Sequence, residues 1–316
     1  MDIILGYFGV SSVLSSPYLS TSLNFLFFYL TWTTLIVTQP PLRIELLGSL
    51  AMRLIFYWIP TLLFTLFDTA LPSLSGDLKM RHGPYIPAKE KARIALIALT
   101  NQLLATGLQG LIHFSYSSLL MKKQPVFDAG TTLPLPWNMI SDILLILCIR
   151  EIITYSLHRY LLHNPSRYKT LSRLHAVHHR YAKSPCFSLK AHYAHPLDYF
   201  LLQLVPLYLP AYLRRVHLLT FFLTLAIVSL ESALIYSGYD IFWGLLGGTV
   251  RRIDRHHSPR GQNMDFGIWG IIDWVAGTAG GRSRPEEEGG AIDINEEVHN
   301  EVDKRKKKLE KRWKQK

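Results

Sequence analysis

Long apolar runs, separated by loops that carry charge or proline, constrain the fold of this chain more than any other feature. Of its 316 residues, 49% are hydrophobic and only 18% are charged. A helix needs roughly 20 apolar residues to cross a bilayer, and several runs reach or approach that length. They lie at about 22–38, 44–71, 94–121, 139–157, 197–213 and 218–236. The sequence therefore predicts an all-α fold, a polytopic membrane helix bundle, in which the last two runs either cross fully or dip in as a re-entrant hairpin.

The net charge of +11 does not indicate nucleic-acid binding, because of where the charge lies. The segment 303–316 alone contributes +7, and a basic tail beside membrane spans is typical of a cytosolic, lipid-facing segment. Basic residues are not interleaved with aromatic residues as in nucleic-acid-binding proteins. Two cysteines, Cys148 and Cys186, are too few for a disulfide framework or a thiolate cluster. We therefore expect a membrane as a partner and no nucleic acid.

Histidines are concentrated in two tight groups, one within 156–196 and one at 256–257. Neutral imidazole is the commonest metal ligand among side chains. Many imidazoles with few carboxylates and no thiolate pairs suit iron, copper or zinc better than calcium or magnesium. We therefore predict a metal site whose ligands come from the nine clustered histidines: His158, His163, His175, His178, His179, His192, His195, His256 and His257.

The spacing within the first group indicates how its rings can converge. His175 and His179 are four residues apart, so one face of a helix can present both, and His178 can join that face. His158 and His163 are five residues apart, which is about 140° round an ideal helix. These two converge only if the helix ends or loosens between them.

Around these histidines the sequence resembles the membrane-bound fatty acid hydroxylase and sterol desaturase superfamily. That family carries the pattern HxxxH or HxxxxH, then HxxHH, then a later HxxHH. Here the boxes are 158–163, 175–179 and an incomplete third box at His256 and His257. The sequence segments around the boxes match the family as well. They are HHRYAKSP, AHYAHP, SGYD, NMDFG and DWVAGT, and with them the resemblance covers roughly 139–278.

The resemblance implies a di-iron oxygenase of the endoplasmic reticulum membrane that receives electrons from cytochrome b5 or a reductase. Such an enzyme uses O2 to hydroxylate or desaturate a lipid, here a sterol, a fatty acyl chain or a terpenoid- or polyketide-like molecule. Hydroxylation and desaturation begin with the same hydrogen abstraction, so the ligand set does not separate them. Acceptors must also hold the neutral rings in one tautomer. The candidates are Glu151, Asp198, Glu231, Asp254, Asn263 and Asp265.

Two positions depart from the family pattern. Ile253 stands where the third box should begin with histidine, and Tyr236 stands where members usually carry histidine before SGY. Tyr236 could still coordinate a metal as a phenolate, whereas Ile253 cannot. Two alternatives therefore stay open. One is a family member with an incomplete metal site and a non-catalytic membrane role. The other is a different metal enzyme, such as a zinc hydrolase, although the sequence has no HExxH motif or nucleophile elbow.

The predicted organisation has three segments. We expect N-terminal transmembrane helices at 1–138, a histidine-box hydroxylase or desaturase domain at 139–278, and a charged cytosolic tail at 279–316. The basic loop 76–93 favours a cytosolic position under the positive-inside rule. With that orientation the histidine groups meet on the cytosolic side and form a histidine-rich cap on the bundle.

Overall fold

Helices account for all of the regular secondary structure in the described part of the chain, so the all-α prediction is confirmed. The computed structural model describes residues 17–84, 86–119, 125–239 and 248–280. Apart from two isolated β-bridges, these residues contain no strand. The α-helices are α1 (Pro17–Thr38), α2 (Pro41–Arg53), α3 (Ile59–Ala70), α4 (Pro72–Leu78), α5 (Ala88–Leu119), α6 (Pro136–Ser156), α7 (Lys169–His175), α8 (Pro196–Tyr199), α9 (Val205–Arg214), α10 (Leu218–Ile235), α11 (Thr249–His256) and α12 (Ile271–Ala276).

Shorter helical turns of other types join some of these α-helices. Five of the α-helices (α1, α2, α4, α6 and α8) begin on proline, whose fixed φ and missing N–H suit a first turn. The remaining turns are π-helical at Leu54–Trp58, Leu157–Leu162 and Phe200–Leu204 and 3₁₀-helical at Ser188–His192. The first π-helical turn makes α2 and α3 one continuous rod.

Three helices among the described residues are long and apolar enough to cross a membrane. They are Pro41–Ala70, Ala88–Ser118 and Leu218–Ile235. Large apolar side chains also cover the outside of the bundle, as at Phe25 and Phe27 of α1, which are 70% and 73% exposed. A surface of this kind marks contact with lipid or another apolar partner. The predicted polytopic membrane helix bundle is therefore confirmed.

The other predicted apolar runs form helices that are not among these three. The run at 22–38 forms α1, whose described apolar part is shorter. The run at 139–157 forms α6, and the run at 197–213 forms α8, a π-helical turn and α9. That these helices cross the bilayer stays a prediction.

Helix α10 packs against α2, the Leu54–Trp58 turn and α6, and side chains around most of its circumference are buried. A helix that is hydrophobic all round is typically a buried one. Its Phe221 stacks on Phe127 with 4.3 Å between ring centroids. Gly48 of α2 permits the close approach of α10, because a Cβ there would lie 2.2 Å from the ring of Phe222. This packing fixes the end of α10, which leads directly to Tyr236.

Charged side chains inside the spans are hydrogen-bonded. Glu45 accepts from the Gln109 amide at 2.9 Å and contacts His113 Nδ1 at 2.6 Å. Arg53 donates to the hydroxyl of Tyr208 at 2.6 Å. An ionised group without partners is costly within a bilayer. These bonds therefore hold α2 against α5 and α9.

The chain divides into two compact units, Met1–Thr278 and Ala279–Lys316. All the helices named above belong to the first unit. The predicted division of that unit at position 139 stays a prediction. The charged tail predicted for the second unit lies almost entirely in 281–316, outside the described residues.

Candidate metal centre

The first histidine box begins on a π-helical turn, Leu157–Leu162, which follows α6 without a break, and it ends at His163, the C-terminal cap of that turn. The N–H of His163 donates to the carbonyl of His158 at 3.0 Å, a bond across five residues. One extra residue per turn is how a π-helix differs from an α-helix, and it brings positions five apart onto one face. The rings of His158 and His163 therefore lie 4.9 Å apart. This is the loosened helix on which the sequence prediction depended.

The second box begins where α7 ends. His175 is the last residue of α7, and the chain continues in tight turns, with the His178 N–H donating to the His175 carbonyl at 2.9 Å. The rings of His175 and His179 still converge, with their Nε2 atoms 3.0 Å apart. The predicted convergence of this pair is thus present, although turns rather than a continuous helix produce it.

Five histidines converge on one point at the centre of these elements. The Nε2 atom of His175 lies 3.1 Å from Nε2 of His158 and 3.0 Å from Nε2 of His163. His256, the last residue of α11, completes the group. One ring nitrogen from each of the five lies within 4.8 Å of all the others. We call this set the five-histidine group: His158, His163, His175, His179 and His256.

The tautomers of three of these rings follow from the partners of their Nδ1 atoms. His158 Nδ1 lies 2.7 Å from the carbonyl of Phe266, and His256 Nδ1 lies 2.6 Å from that of Met264. A carbonyl can only accept, so these Nδ1 atoms carry the proton, and each neutral ring presents a lone pair at Nε2. His175 Nδ1 is held in the same way by the carboxylate of Asp198 at 3.0 Å.

The Nε2 atoms of His158 and His175 are 3.1 Å apart, and their lone pairs face each other. Two such lone pairs repel unless a cation lies between them. The Nε2 atom of His256 is also buried without a hydrogen-bond partner among the described residues. A group of neutral imidazoles with their lone pairs directed inward is the donor set of iron, copper or zinc. The residues of the five-histidine group therefore fit a transition-metal ion.

Burial keeps these rings in the neutral form that binds metal. Burial, with the neighbouring imidazoles second, holds the pKa of His158, His179 and His256 well below the usual range. Burial and then the nearby His175 ring lower the pKa of His163 to about 3. Protons therefore do not compete for the nitrogens of these four rings at physiological pH.

Among the six acidic or amide residues expected to orient the rings, Asp198 contacts one directly. It lies in the first turn of α8 and is buried. Asp254, whose direction was unknown from the sequence, accepts from Arg81 at 3.0 Å and from the backbone N–H of Cys186 at 3.0 Å. The other ring-orienting groups are the backbone carbonyls of Phe266 and Met264, which residue identity does not reveal. The only indication of these carbonyls in the sequence is that Met264 and Phe266 belong to the NMDFG segment.

Glu151 acts on the centre through the loop after α11. Its carboxylate accepts the backbone N–H groups of Ile268, Trp269 and Gly270 at 2.9 to 3.2 Å. The loop that it holds includes the Phe266 carbonyl, to which His158 donates. Glu151 is therefore a positioning residue.

The neighbouring Arg150 is paired as well, with Glu231 of α10 at 2.6 Å. The same Glu231 carboxylate accepts from the indole N–H of Trp269 at 2.8 Å. Arg150 and Glu151 thus both connect α6 to the metal centre or its supporting loop.

We expect Asp198→Asn to weaken metal binding by about 10–100-fold, the usual effect of removing a carboxylate behind a metal-ligating histidine. The amide keeps the shape but loses the charge that fixes the proton on His175 Nδ1. Metal affinity measured by competition with a chromophoric chelator checks the prediction. Asp142→Asn is the matched control, because Asp142 pairs with the exposed Arg214; equal affinities in the two variants would contradict the role of Asp198.

A second, smaller group lies beside the first. His178 and His257 have ring centroids 4.8 Å apart, and the hydroxyl of Tyr236 lies 3.2 Å from His178 Nε2. The Nδ1 atoms of the two rings face the carbonyls of Tyr193 and Ile253 at 2.7 and 2.9 Å. We call His178, Tyr236 and His257 the tyrosine-histidine group.

The remaining two predicted ligands lie elsewhere. The ring of His192 is buried edge-on against Tyr57, with centroids 4.2 Å apart, and neither of its nitrogens has a hydrogen-bond partner among the described residues. His195 caps the start of α8 by accepting the N–H of Leu197 at 3.3 Å. The structure brings neither ring into the five-histidine group.

A cavity of about 50 Å³ lies between the two groups. Its walls include His158, His178, His256 and His257, together with Tyr236 and Ile253. Since about 10–15 Å³ of such volume accommodates one water molecule, the cavity has room for a few waters or for a diatomic gas beside the rings.

Comparison with known proteins agrees with this picture. A family profile described as fatty acid hydroxylase matches residues 143–278. Methylsterol monooxygenase 2-2 of Arabidopsis thaliana is 33% identical over 189 residues, which are 55% of this chain and 68% of that protein. C-4 methylsterol oxidase erg25 of Schizosaccharomyces pombe is 34% identical over 159 residues, 46% of this chain and 51% of that protein.

A third relative covers more of this chain. Fatty acid hydroxylase ahd1 of Mycosarcoma maydis is 28% identical over 215 residues, 67% of this chain and 52% of that protein. The chain thus spans about two thirds of the first relative's length and about half of the other two. No solved structure matches the chain.

Fold and site together define a helical membrane protein with a buried histidine cluster. Since the chain covers 68% of a relative to which it is 33% identical, and the fatty acid hydroxylase profile spans all three boxes, this chain belongs to the fatty acid hydroxylase and sterol desaturase superfamily. The resemblance seen in the sequence is confirmed.

Proposed function

We propose that this chain is a membrane-bound, iron-dependent oxygenase that hydroxylates or desaturates a lipid with O2 and externally supplied electrons. The observation that carries the proposal is the convergence of five ring nitrogens within 4.8 Å on a bundle with an apolar exterior. Zinc fits the ligand types but has no redox chemistry, and the relatives carry the names of monooxygenases, oxidases and hydroxylases. When bound, iron would supply the activation of O2 and the attack on a C–H bond.

The protein's own residues orient the metal-binding rings and exclude water from them. Asp198 and the carbonyls of Phe266 and Met264 fix the ring tautomers and directions before any metal arrives, so little reorganisation is required. Burial of the rings excludes bulk water, which protects a reactive oxidant from side reactions. The cavity of about 50 Å³ beside the rings has room for dioxygen next to His158 and His256.

We propose a methylsterol as the first substrate to test. Relatives from a plant and a yeast are named for oxidation of methylsterols, and a sterol can enter the apolar bundle from the bilayer. A fatty acyl chain is the second candidate, because the relative that covers 67% of this chain is named as a fatty acid hydroxylase. We also propose the endoplasmic reticulum membrane as the location and cytochrome b5 or a reductase as the electron donor.

Turnover of defined lipids by the full-length chain in nanodiscs tests the proposal. The protein, loaded with ferrous iron, is supplied with cytochrome b5, its reductase and isotope-labelled dioxygen, and offered a 4-methylsterol or a fatty acyl lipid in parallel. Mass spectrometry then reads the product. Incorporation of one labelled oxygen atom indicates hydroxylation, and loss of two hydrogens without label indicates desaturation.

The control is the His175→Ala variant, which we expect to give no product with any lipid. A folded, iron-loaded chain that leaves every lipid class unchanged would contradict the proposed activity. That result would favour the alternative of a non-catalytic family member, which Ile253 and Tyr236 suggest.

A further inference from the structure

The tyrosine-histidine group differs from the five-histidine group in what it offers a metal. The family resemblance implies two irons, and the five-histidine group gives one ion a complete set of imidazoles. A second ion would have to lie by the tyrosine-histidine group. The rings of His178 and His257 and the phenol of Tyr236 surround that position, and the ring of His179, which already belongs to the five-histidine group, stacks on His257 with 5.0 Å between ring centroids.

His178 needs no metal to satisfy its ring. Its Nδ1 donates to the carbonyl of Tyr193 at 2.7 Å, and its Nε2 lies 3.2 Å from the hydroxyl of Tyr236, which can donate to it. Both ring nitrogens therefore have protein partners. This contrasts with His158 and His175, whose Nε2 lone pairs face each other. In the tyrosine-histidine group, His257 Nε2 alone is buried without a hydrogen-bond partner among the described residues, so this group offers an ion one unpaired lone pair.

Ile253 occupies a position from which a ligand would have to come. It lies one turn before His257, whose N–H donates to the Ile253 carbonyl at 3.0 Å, so that the two side chains share a helix face. Its side chain is buried in an apolar cluster with Tyr236 and Tyr57 and lines the cavity next to His178. The space for a fourth donor is therefore filled by an alkyl group.

From this asymmetry we infer that the centre binds one metal ion per chain, in the five-histidine group, and that the tyrosine-histidine group binds none. The inference deepens the proposed function and rests on it, because it concerns the same centre. Tyr236 and Ile253 together take the place of a second ion. The cavity beside them stays free for a small molecule next to the single metal.

Metal stoichiometry of the full-length chain tests the inference. The protein is purified in detergent, loaded anaerobically with excess ferrous iron, desalted and analysed by plasma mass spectrometry and quantitative amino-acid analysis. We expect about one iron per chain. After oxidation, an isolated ferric ion gives an electron paramagnetic resonance signal that a coupled pair lacks. Two irons per chain, or a coupled pair, would overturn the inference.

Paired variants locate the ion. His257→Ala is expected to keep one iron, whereas His163→Ala loses most of it; loss of the iron in His257→Ala would overturn the assignment. The double variant Tyr236→His with Ile253→His supplies two further imidazoles. It is expected to raise the iron content toward two irons per chain. A folded double variant that stays at one iron per chain would show that Tyr236 and Ile253 are not what prevents a second ion from binding.

The outcome separates this inference from the proposed function. Two irons with lipid turnover would refute the inference and leave the function standing. One iron without turnover on any lipid would leave the inference standing and refute the function.

Discussion

Replacing His175 with alanine is expected to abolish metal binding and all activity that depends on it. Its Nε2 atom lies at the centre of the five-histidine group, 3.0 to 3.1 Å from the Nε2 atoms of His158, His163 and His179. No other ring contacts three partners in this way, as far as the described residues show. Removing it deletes a ligand and also releases the carboxylate of Asp198. We expect metal content to fall by at least about 100-fold relative to the unaltered chain, measured after equilibrium with a buffered metal pool.

His195→Ala is the matched control for this experiment. It lies in the same histidine-rich stretch, and the sequence predicts it as a ligand, yet its ring caps α8 and is partly exposed. We expect this variant to keep its full metal content and to lose only the modest stability of one helix cap. Retention of metal in His175→Ala, or its loss in His195→Ala, would refute the five-histidine assignment.

Acidification is expected to destabilise the metal-free protein strongly. Burial lowers the pKa of His158, His179 and His256 well below the usual range, and that of His163 to about 3. The same rings have an ordinary pKa of about 6.5 in the unfolded chain. Below that pH the unfolded state binds protons that the folded state does not, so the free energy of unfolding falls as the pH falls.

The size of this effect follows from the number of rings. Each ring lowers the free energy of unfolding by about 1.4 kcal/mol for each pH unit below the pKa of that ring in the unfolded chain. Four rings therefore remove several kcal/mol between about pH 6.5 and pH 5.5. Denaturation midpoints of the metal-free protein in detergent, measured at both pH values and at about pH 8, check this. An unchanged or higher midpoint at the acid pH would show that the rings are not buried neutral in the folded state.

How far the site could be predicted from the sequence depends on which contacts are local. The pair His175 and His179 could be predicted because four residues along the chain fix their separation. The approach of His163 to His158 depends on a π-helical turn, which no residue type specifies. His192 and His195 look equivalent to the true cluster members in sequence, yet packing against Tyr57 and capping of α8 place them elsewhere.

The contacts that hold the metal-binding rings in place could not be predicted from the sequence, for a different reason. Arg150 and Glu151 could be recognised as unusual charges in an apolar run, but their partners come from segments about 80 residues or more along the chain. The carbonyls of Phe266 and Met264 belong to the backbone, so no side chain reveals them. By contrast, the helical bundle followed from the length and composition of the apolar runs, which do not depend on long-range contacts.

The π-helical turn at Leu157–Leu162 has a consequence for the two box lengths of this family. Histidines four apart share a face of an ordinary α-helix, and those five apart share a face here because the turn absorbs one more residue. HxxxH and HxxxxH are then interchangeable in space. A single-residue insertion or deletion in this box can be accommodated by exchanging one helical form for the other, without moving the ring at either end.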